Sequence, residues 1–129
     1  MHRLQPLLRP RSIAILGASE REHTVGCRVV KNLQHGGYSG ALYAVNPSRE
    51  TVFGLPCFPS LATLPETVEQ VIFAVADSRV EAALDDTIAH GARALTIYST
   101  LVLESDRSPN LRARVTEKIR ASGLLVCGA

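Results

Sequence analysis

Short apolar runs alternate with segments of helical periodicity along the chain, and this alternation limits the fold more than any other feature of the sequence. Each run is apolar at nearly every position, which is typical of a strand covered on both faces. The predicted strands are residues 12–16, 41–45, 71–75, 94–98 and 124–127. Strands of this kind belong to parallel sheets that lie between two layers of helices.

The segments between these strands carry apolar residues at the spacing of one helix face. The three faces consist of Val25, Val29, Val30 and Leu33; of Val80, Leu84 and Ile88; and of Leu111, Val115 and Ile119. Glycines at 36–37, 91 and 123 are predicted to end the helices. Asp77 or Ser78 is predicted to cap the second helix, and the pair Ser108–Pro109 to begin the third.

Strands that alternate with helices form right-handed crossovers. The sequence therefore predicts an α/β protein with a Rossmann-like, doubly wound parallel sheet of about five strands and helices on both faces. With 129 residues, the chain is the size of one domain, 1–129. Residues 54–59 contain two prolines and are expected to form an extended connection, followed by a short helical turn within 60–64.

Composition excludes several classes of function. The net charge of +2 is too small to indicate a nucleic-acid partner. No apolar run approaches the roughly 18 residues of a membrane span, so neither a membrane partner nor a secreted location is expected and the cytoplasm is the default. The three cysteines have no zinc-binding spacing, so no metal site is predicted.

The four histidines do not indicate a catalytic group, and no catalytic residue is predicted. His35 and His90 each precede a glycine that ends a helix, where a protonated imidazole would favour the helix dipole. Both are interpreted as capping or surface residues. His23 falls in the loop after the first strand, where contact with an anion is conceivable, but a single loop histidine does not define a reaction.

The loop after the first strand is the strongest candidate for a binding site. Gly17 allows a sharp turn, and Ala18 and Ser19 keep the loop thin enough for backbone amides to approach a phosphate. Val25 and Gly26 begin the following helix, whose N-terminus adds partial positive charge. The loop has neither the GxGxxG nor the GxxxxGK[ST] spacing.

The turn after the second strand narrows the choice of ligand. NAD-binding domains need a carboxylate there for the ribose hydroxyls, and this chain has no acid before Glu50. Asn46, Pro47, Ser48 and Arg49 suit a phosphorylated ribose better, which leaves NADP and coenzyme A open. After the fourth strand, Ser99 and Thr100 could donate hydrogen bonds to the same ligand.

Residues 8–19, 36–40, 43–47 and 54–61 resemble, in order, the opening of the NDP-forming (ADP-forming) acyl-CoA synthetases, which are related to the α-subunit of succinyl-CoA synthetase. The resemblance implies a domain that binds coenzyme A, with Gly17, Ala18, Ser19 and Gly26 at its phosphates. Asn46 and Pro47 match the turn that contacts the adenosine end.

The chain departs from the family pattern at several of these positions. Ser48 replaces a usual lysine, so the phosphate contact would pass to Arg49. Ala76 stands in a turn that often reads Pro-Ala. Ser99 matches a Ser-Ala-Gly-Phe loop, but Thr100 does not, and Glu104 falls where a family glutamate often stands.

Three functions follow from these observations. The first is the coenzyme A-binding domain of an NDP-forming acyl-CoA synthetase-like protein, a ligase. Its phosphohistidine and nucleotide-grasp domains would lie in further domains or subunits, so the chain is expected to be either a fragment or a shortened relative. The second is a stand-alone coenzyme A-binding regulatory module. The third is an NADP-binding domain with a non-standard glycine loop. Self-association is also expected if an apolar face lacks its partner domain.

Overall fold

A mostly parallel seven-stranded sheet forms the centre of the computed structural model, which describes residues 3–99, 101–103 and 105–128. The strands are β1 (Ser12–Leu16), β2 (Ala41–Val45), β3 (Thr51–Val52), β4 (Leu55–Phe58), β5 (Gln70–Phe73), β6 (Ala94–Ile97) and β7 (Leu125–Gly128). The helices are α1 (Gln5–Leu8), α2 (Val25–His35), α3 (Asp77–His90) and α4 (Leu111–Ser122), with a 3₁₀ turn at Leu61–Thr63. This confirms the predicted fold class.

The strand order β3-β4-β2-β1-β5-β6-β7 reverses direction at β1. The chain moves outward from β1 to β2 on one side and from β5 to β6 and β7 on the other, and all of these neighbours pair in parallel. Right-handed crossovers in opposite directions place their helices on opposite faces. The connections that leave the carboxyl ends of β1 and β5 therefore run to opposite faces of the sheet, which opens a crevice between them.

Two apolar cores confirm that helices cover both faces. On one face, Val29 and Val30 of α2 pack with Ile13 and Ile15 of β1. On the other, α3 and α4 pack against Phe73 and neighbouring strand residues through Val80, Leu84, Leu111 and Val115. Alternate residues of β1 enter different cores, since Ala14 and Leu16 belong to the second one.

The predicted count of about five strands is too low because residues 51–58 form a hairpin. Phe53 and Gly54 both adopt positive φ, 48° and 79°, which allows a two-residue turn between β3 and β4. β4 also pairs in parallel with β2, matching Cys57 to Ala44. The prolines in residues 54–59 led to the prediction of an extended connection. Pro56 is nevertheless part of a strand, because β4 is short and lies near the edge of the sheet, where its second neighbour is the two-residue β3.

Two of the predicted helix starts are wrong, whereas the helix ends are confirmed. The N-cap position of α3 is Ala76, because the Asp77 carboxylate instead accepts a hydrogen bond from the Ser99 hydroxyl. α4 begins at Leu111, and its cap is Asn110, whose side chain accepts from the amide of Ala113 at 3.0 Å. α2 ends at His35, and Gly91 and Gly123 end α3 and α4 with left-handed φ values of 91° and 77°.

His90 does not act as a charged partner of the helix dipole. Its Nε2 atom accepts a hydrogen bond from the amide of Val68 at 3.0 Å, which requires a neutral ring at that nitrogen. Burial lowers the pKa of His90, because the protonated ring would lose its hydration. His90 therefore ties the end of α3 to the chain before β5 in its neutral form.

This contact predicts a pH-dependent stability. The imidazole takes up a proton more readily in the unfolded chain than in the folded one. The contribution of the His90 contact to the free energy of unfolding is therefore fully present above the unfolded pKa of about 6.5, and it is lost as the pH falls below that value. His90→Gln keeps an acceptor but does not titrate, so urea unfolding of this variant should show a smaller decrease between pH of about 7 and about 5. His35→Gln, at an exposed position in α2, is the control. An unchanged pH dependence in His90→Gln would contradict the assignment.

Candidate functional site

A pocket of about 500 Å³ lies at the carboxyl ends of β1 and β2. Its walls are the end of β1, the turn after β2, residues 59–60, Val75 after β5 and one side of α3. Open parallel sheets bind ligands in this position, outside the strand ends and beside the point where the strand order reverses. The pocket is therefore the candidate binding site.

Gly17 turns the chain out of β1 at a place where no side chain fits. Its φ is +86°, and a Cβ atom here would overlap with the carbonyl oxygen of Ala74 after β5. The Gly17 amide donates to the carbonyl of Val45, at 3.1 Å, so the turn is fixed to β2 on its other side. The loop is thus held between the ends of two neighbouring strands.

Gly26 brings the first turn of α2 against the same loop. A Cβ atom at Gly26 would overlap with the carbonyl oxygen of Gly17, and Ala18 between them is fully buried. Thr24 caps the helix, since its hydroxyl accepts from the amide of Cys27 at 3.2 Å. The loop backbone and the N-terminus of α2 thus lie close together and form a cradle. A cradle of this kind, with the partial positive charge of a helix N-terminus, is suited to a phosphate group.

Asn46 joins this loop to the turn after β2. Its Nδ2 donates to the carbonyl of Ala18 at 3.0 Å, and its Oδ1 accepts from the amide of Ser48 at 2.9 Å. Its own amide donates to the carbonyl of Phe58 at 3.0 Å. The predicted Asn46 therefore lies in the site, but its side-chain amide supports the protein backbone on both sides.

The other predicted residues near the first two strands differ in their positions. Pro47 and Ser48 line the pocket and are exposed. Val25, at the start of α2, is exposed but is not among the residues that line the pocket. Ser19 is half-buried, and its hydroxyl accepts from the amide of Arg21 at 2.9 Å. Arg49 is exposed and is not among the residues that line the pocket.

The predicted residues after β5 and β6 lie beside the pocket rather than in its wall. The Ser99 hydroxyl donates to Asp77 at 2.5 Å and accepts from the amide of Leu101 at 3.0 Å, so its single proton already has an acceptor. Ala76 occupies the N-cap position of α3 and is exposed. Thr100 and Glu104 lie outside the described residues.

The sequence interpretation missed the contribution of α3. Arg79, Ala82, Ala83 and Asp86 all line the pocket, at the spacing i, i+3, i+4 and i+7 of one helix stripe. The sequence pattern could have predicted this contribution. These positions lie beside the apolar face of Val80 and Leu84, in a helix that begins at the carboxyl ends of the strands.

The described residues offer little reactive chemistry in this pocket. Cys57 lies behind the turn after β2, where its Sγ donates to the carbonyl of Asn46 at 3.5 Å, and burial raises the pKa of this thiol. Within residues 3–99, 101–103 and 105–128, no group of three or more His, Cys, Asp or Glu side chains could hold a metal ion. No helix in the same ranges is long and apolar enough to cross a membrane.

Comparison with known proteins identifies the family of this chain and its cofactor. A family model described as "CoA binding domain" matches residues 11–129. The chain belongs to the CoA-binding domain family. This confirms the predicted resemblance and coenzyme A as the cofactor, and it does not favour the NADP alternative or a separate regulatory module.

The relatives of this CoA-binding domain are much longer proteins. The ADP-forming acetate–CoA ligase II of Archaeoglobus fulgidus is 29% identical over 126 residues, which are 97% of this chain and 19% of that protein. A trans-feruloyl-CoA synthase from an unknown prokaryotic organism is 36% identical over 93 residues, 72% of this chain and 13% of that protein.

A solved structure also matches nearly the whole domain. The dinucleotide-forming acetyl-coenzyme A synthetase 1 of Ca. Korarchaeum cryptofilum, in its apo form, superimposes with a TM-score of 0.86 and 26% identity. The match covers 97% of this chain and 27% of that chain. The CoA-binding domain thus corresponds to less than a third of each of these relatives.

The two glycine contacts predict unequal effects for two similar substitutions. Gly17→Ala and Gly37→Ala both place a side chain at positive φ, which costs about 1–2 kcal/mol. At Gly37 the Cβ atom enters open space, whereas at Gly17 it overlaps with backbone. Gly17→Ala should therefore lower the free energy of unfolding by about 1–3 kcal/mol more than Gly37→Ala in urea denaturation. Equal losses would show that the loop yields without strain.

Proposed function

We propose that this chain is the coenzyme A-binding part of an NDP-forming acyl-CoA synthetase, an acid–CoA ligase that works in the cytoplasm. The observation that carries the proposal is the cradle formed where Gly17 and Gly26 bring the loop after β1 against the N-terminus of α2. Coenzyme A carries a diphosphate, and backbone amides at a helix N-terminus are suited to bind one.

The cradle and the turn after β2 suggest how the cofactor lies. The amides of Ala18 and Ser19 and the helix start at Val25–Gly26 hold the diphosphate, and Gly17, whose own amide donates to the Val45 carbonyl, sets the turn of the loop. Asn46, Pro47 and Ser48 border the adenosine end, because they line the pocket next to the same loop. Ala76 and Ser99 lie beyond β5 and β6, and the pantetheine arm passes them on its way to the reacting acyl group.

The proposed part in catalysis is binding and orientation. Bound coenzyme A supplies the thiol that becomes the thioester, and this chain holds the other end of the molecule. The two curated relatives described above are named for acetate and for a feruloyl group, although they share this domain. We therefore assign the choice of carboxylic acid, and the phosphoryl transfer, to further domains or subunits. We also propose that this chain self-associates.

Calorimetry on the chain tests the choice of cofactor. Coenzyme A should bind with measurable heat. NAD should bind much more weakly because the turn after β2 has no acid for its ribose hydroxyls, and both NAD and NADP should bind weakly because the loop after β1 lacks the glycine fingerprint of dinucleotide-binding domains. Binding of NADP without binding of coenzyme A would overturn the proposal.

Asn46→Asp tests the connection between the two loops. The carboxylate has the same shape but cannot donate to the Ala18 carbonyl, and it adds a negative charge beside the phosphate cradle. The dissociation constant for coenzyme A should rise by about tenfold or more, because a hydrogen bond of about 1.5 kcal/mol is replaced by repulsion.

Asn32→Asp is the control, because it makes the same change of charge at an exposed position near the other end of α2. Its affinity for coenzyme A should stay near that of the wild type. Equal losses in the two variants would indicate a general effect of charge and would contradict the role given to Asn46.

A further inference from the structure

We propose that Arg79 of α3 binds the 3′-phosphate of coenzyme A and supplies the positive charge that the turn after β2 lacks at Ser48. The inference rests on the proposed function, because it takes the pocket at the ends of β1 and β2 as the place of the adenosine end. It adds a specificity residue on an element that the sequence interpretation did not include in the site.

The geometry of α3 presents Arg79 to this pocket. Arg79, Ala82, Ala83 and Asp86 form the α3 side of the pocket, and Asn46, Pro47 and Ser48 line it from the turn after β2. The two alanines leave room between α3 and that turn. Ser48 and Arg79 therefore border the same pocket from two different elements.

Arg79 differs from the neighbouring cations because it has no acidic partner within the described residues. On the side of α3 that faces α4, Glu81 pairs with Arg114 at 3.0 Å, and Asp85 pairs with Lys118 at 2.8 Å. Neither a salt bridge nor a side-chain hydrogen bond engages Arg79 in those ranges. Its guanidinium is exposed and available to a ligand.

The position of Arg79 is also unfavourable for the isolated helix. It is the third residue of α3, and a cation in the first turn opposes the positive end of the helix dipole. An anion bound at the pocket would reverse this effect, because it interacts favourably with both the guanidinium and the helix end. A planar guanidinium can also contact a phosphate through two parallel hydrogen bonds.

Asp86 makes the charge of the pocket wall different at its two ends. It lies seven residues, and hence about 10 Å, farther along α3 than Arg79 on the same stripe. A phosphate near Asp86 would face a carboxylate, whereas a phosphate near Arg79 would face a cation. The charges along α3 thus favour the phosphate at the Arg79 end of the pocket.

The test compares coenzyme A with 3′-dephospho-coenzyme A by calorimetry. Arg79→Gln should weaken binding of coenzyme A by about tenfold, as expected for one charge-assisted contact, and should change binding of the dephospho form by less than about twofold. Arg120→Gln, at the end of α4, removes the same charge far from the strand carboxyl ends. It should affect neither ligand selectively.

Two further variants separate the alternatives. Arg49→Gln tests the other cation near the turn, and a selective loss of coenzyme A there instead of in Arg79→Gln would overturn the inference. Ser48→Lys in the Arg79→Gln background places a new cation on the opposite wall, and it should restore most of the preference for coenzyme A over the dephospho form.

The outcomes also distinguish this inference from the proposed function. Wild-type binding of coenzyme A, with equal losses of both ligands in Arg79→Gln, would leave the proposed function standing and reject the role of Arg79. No binding of coenzyme A by the wild type would reject the proposed function itself.

Discussion

The close approach of α2 to the end of β1 is the constraint on which the rest of the site depends. The helix can lie this near the loop only because Gly26 has no Cβ atom to meet the Gly17 carbonyl. Gly17 in turn can lie against Ala74 only because it has none either. These contacts set the positions of the loop amides and the helix N-terminus, and Asn46 fixes the turn after β2 to the same backbone.

Much of this arrangement follows from the sequence because it depends on local patterns. Continuous apolar runs predict the core strands, and the turns after β1 and β2 and the start of α2 predict the roles of Gly17, Asn46 and Gly26. The β3–β4 hairpin was missed because Pro56 within it and Pro59 after it are residues that usually oppose strands. The Ser99–Asp77 bond, the contact of His90 with Val68 and the place of Arg79 in the pocket wall each join or align segments that only the tertiary fold brings together.

Different elements provide the shape of the site and its charge. Backbone geometry from β1, β2 and α2 forms the cradle, and it uses glycines and an amide side chain rather than ionised groups. Charge comes from α3, whose two sides have different roles: Glu81 and Asp85 hold α4 through Arg114 and Lys118, while Arg79 and Asp86 line the pocket. α3 therefore contributes to the fold and to ligand discrimination through separate residues.

Amide chemical shifts of the ¹⁵N-labelled chain during titration with coenzyme A test the central claim most directly. The largest changes should fall at Gly17, Ala18 and Ser19, at the turn of Asn46 and Ser48, and in the first turns of α2 and α3. A second groove of about 540 Å³, with Arg9 and Arg11 in its wall, lies at the opposite edge of the sheet, where β1 begins. Changes confined to that groove would contradict the account, because the cofactor would then bind away from the glycine loop.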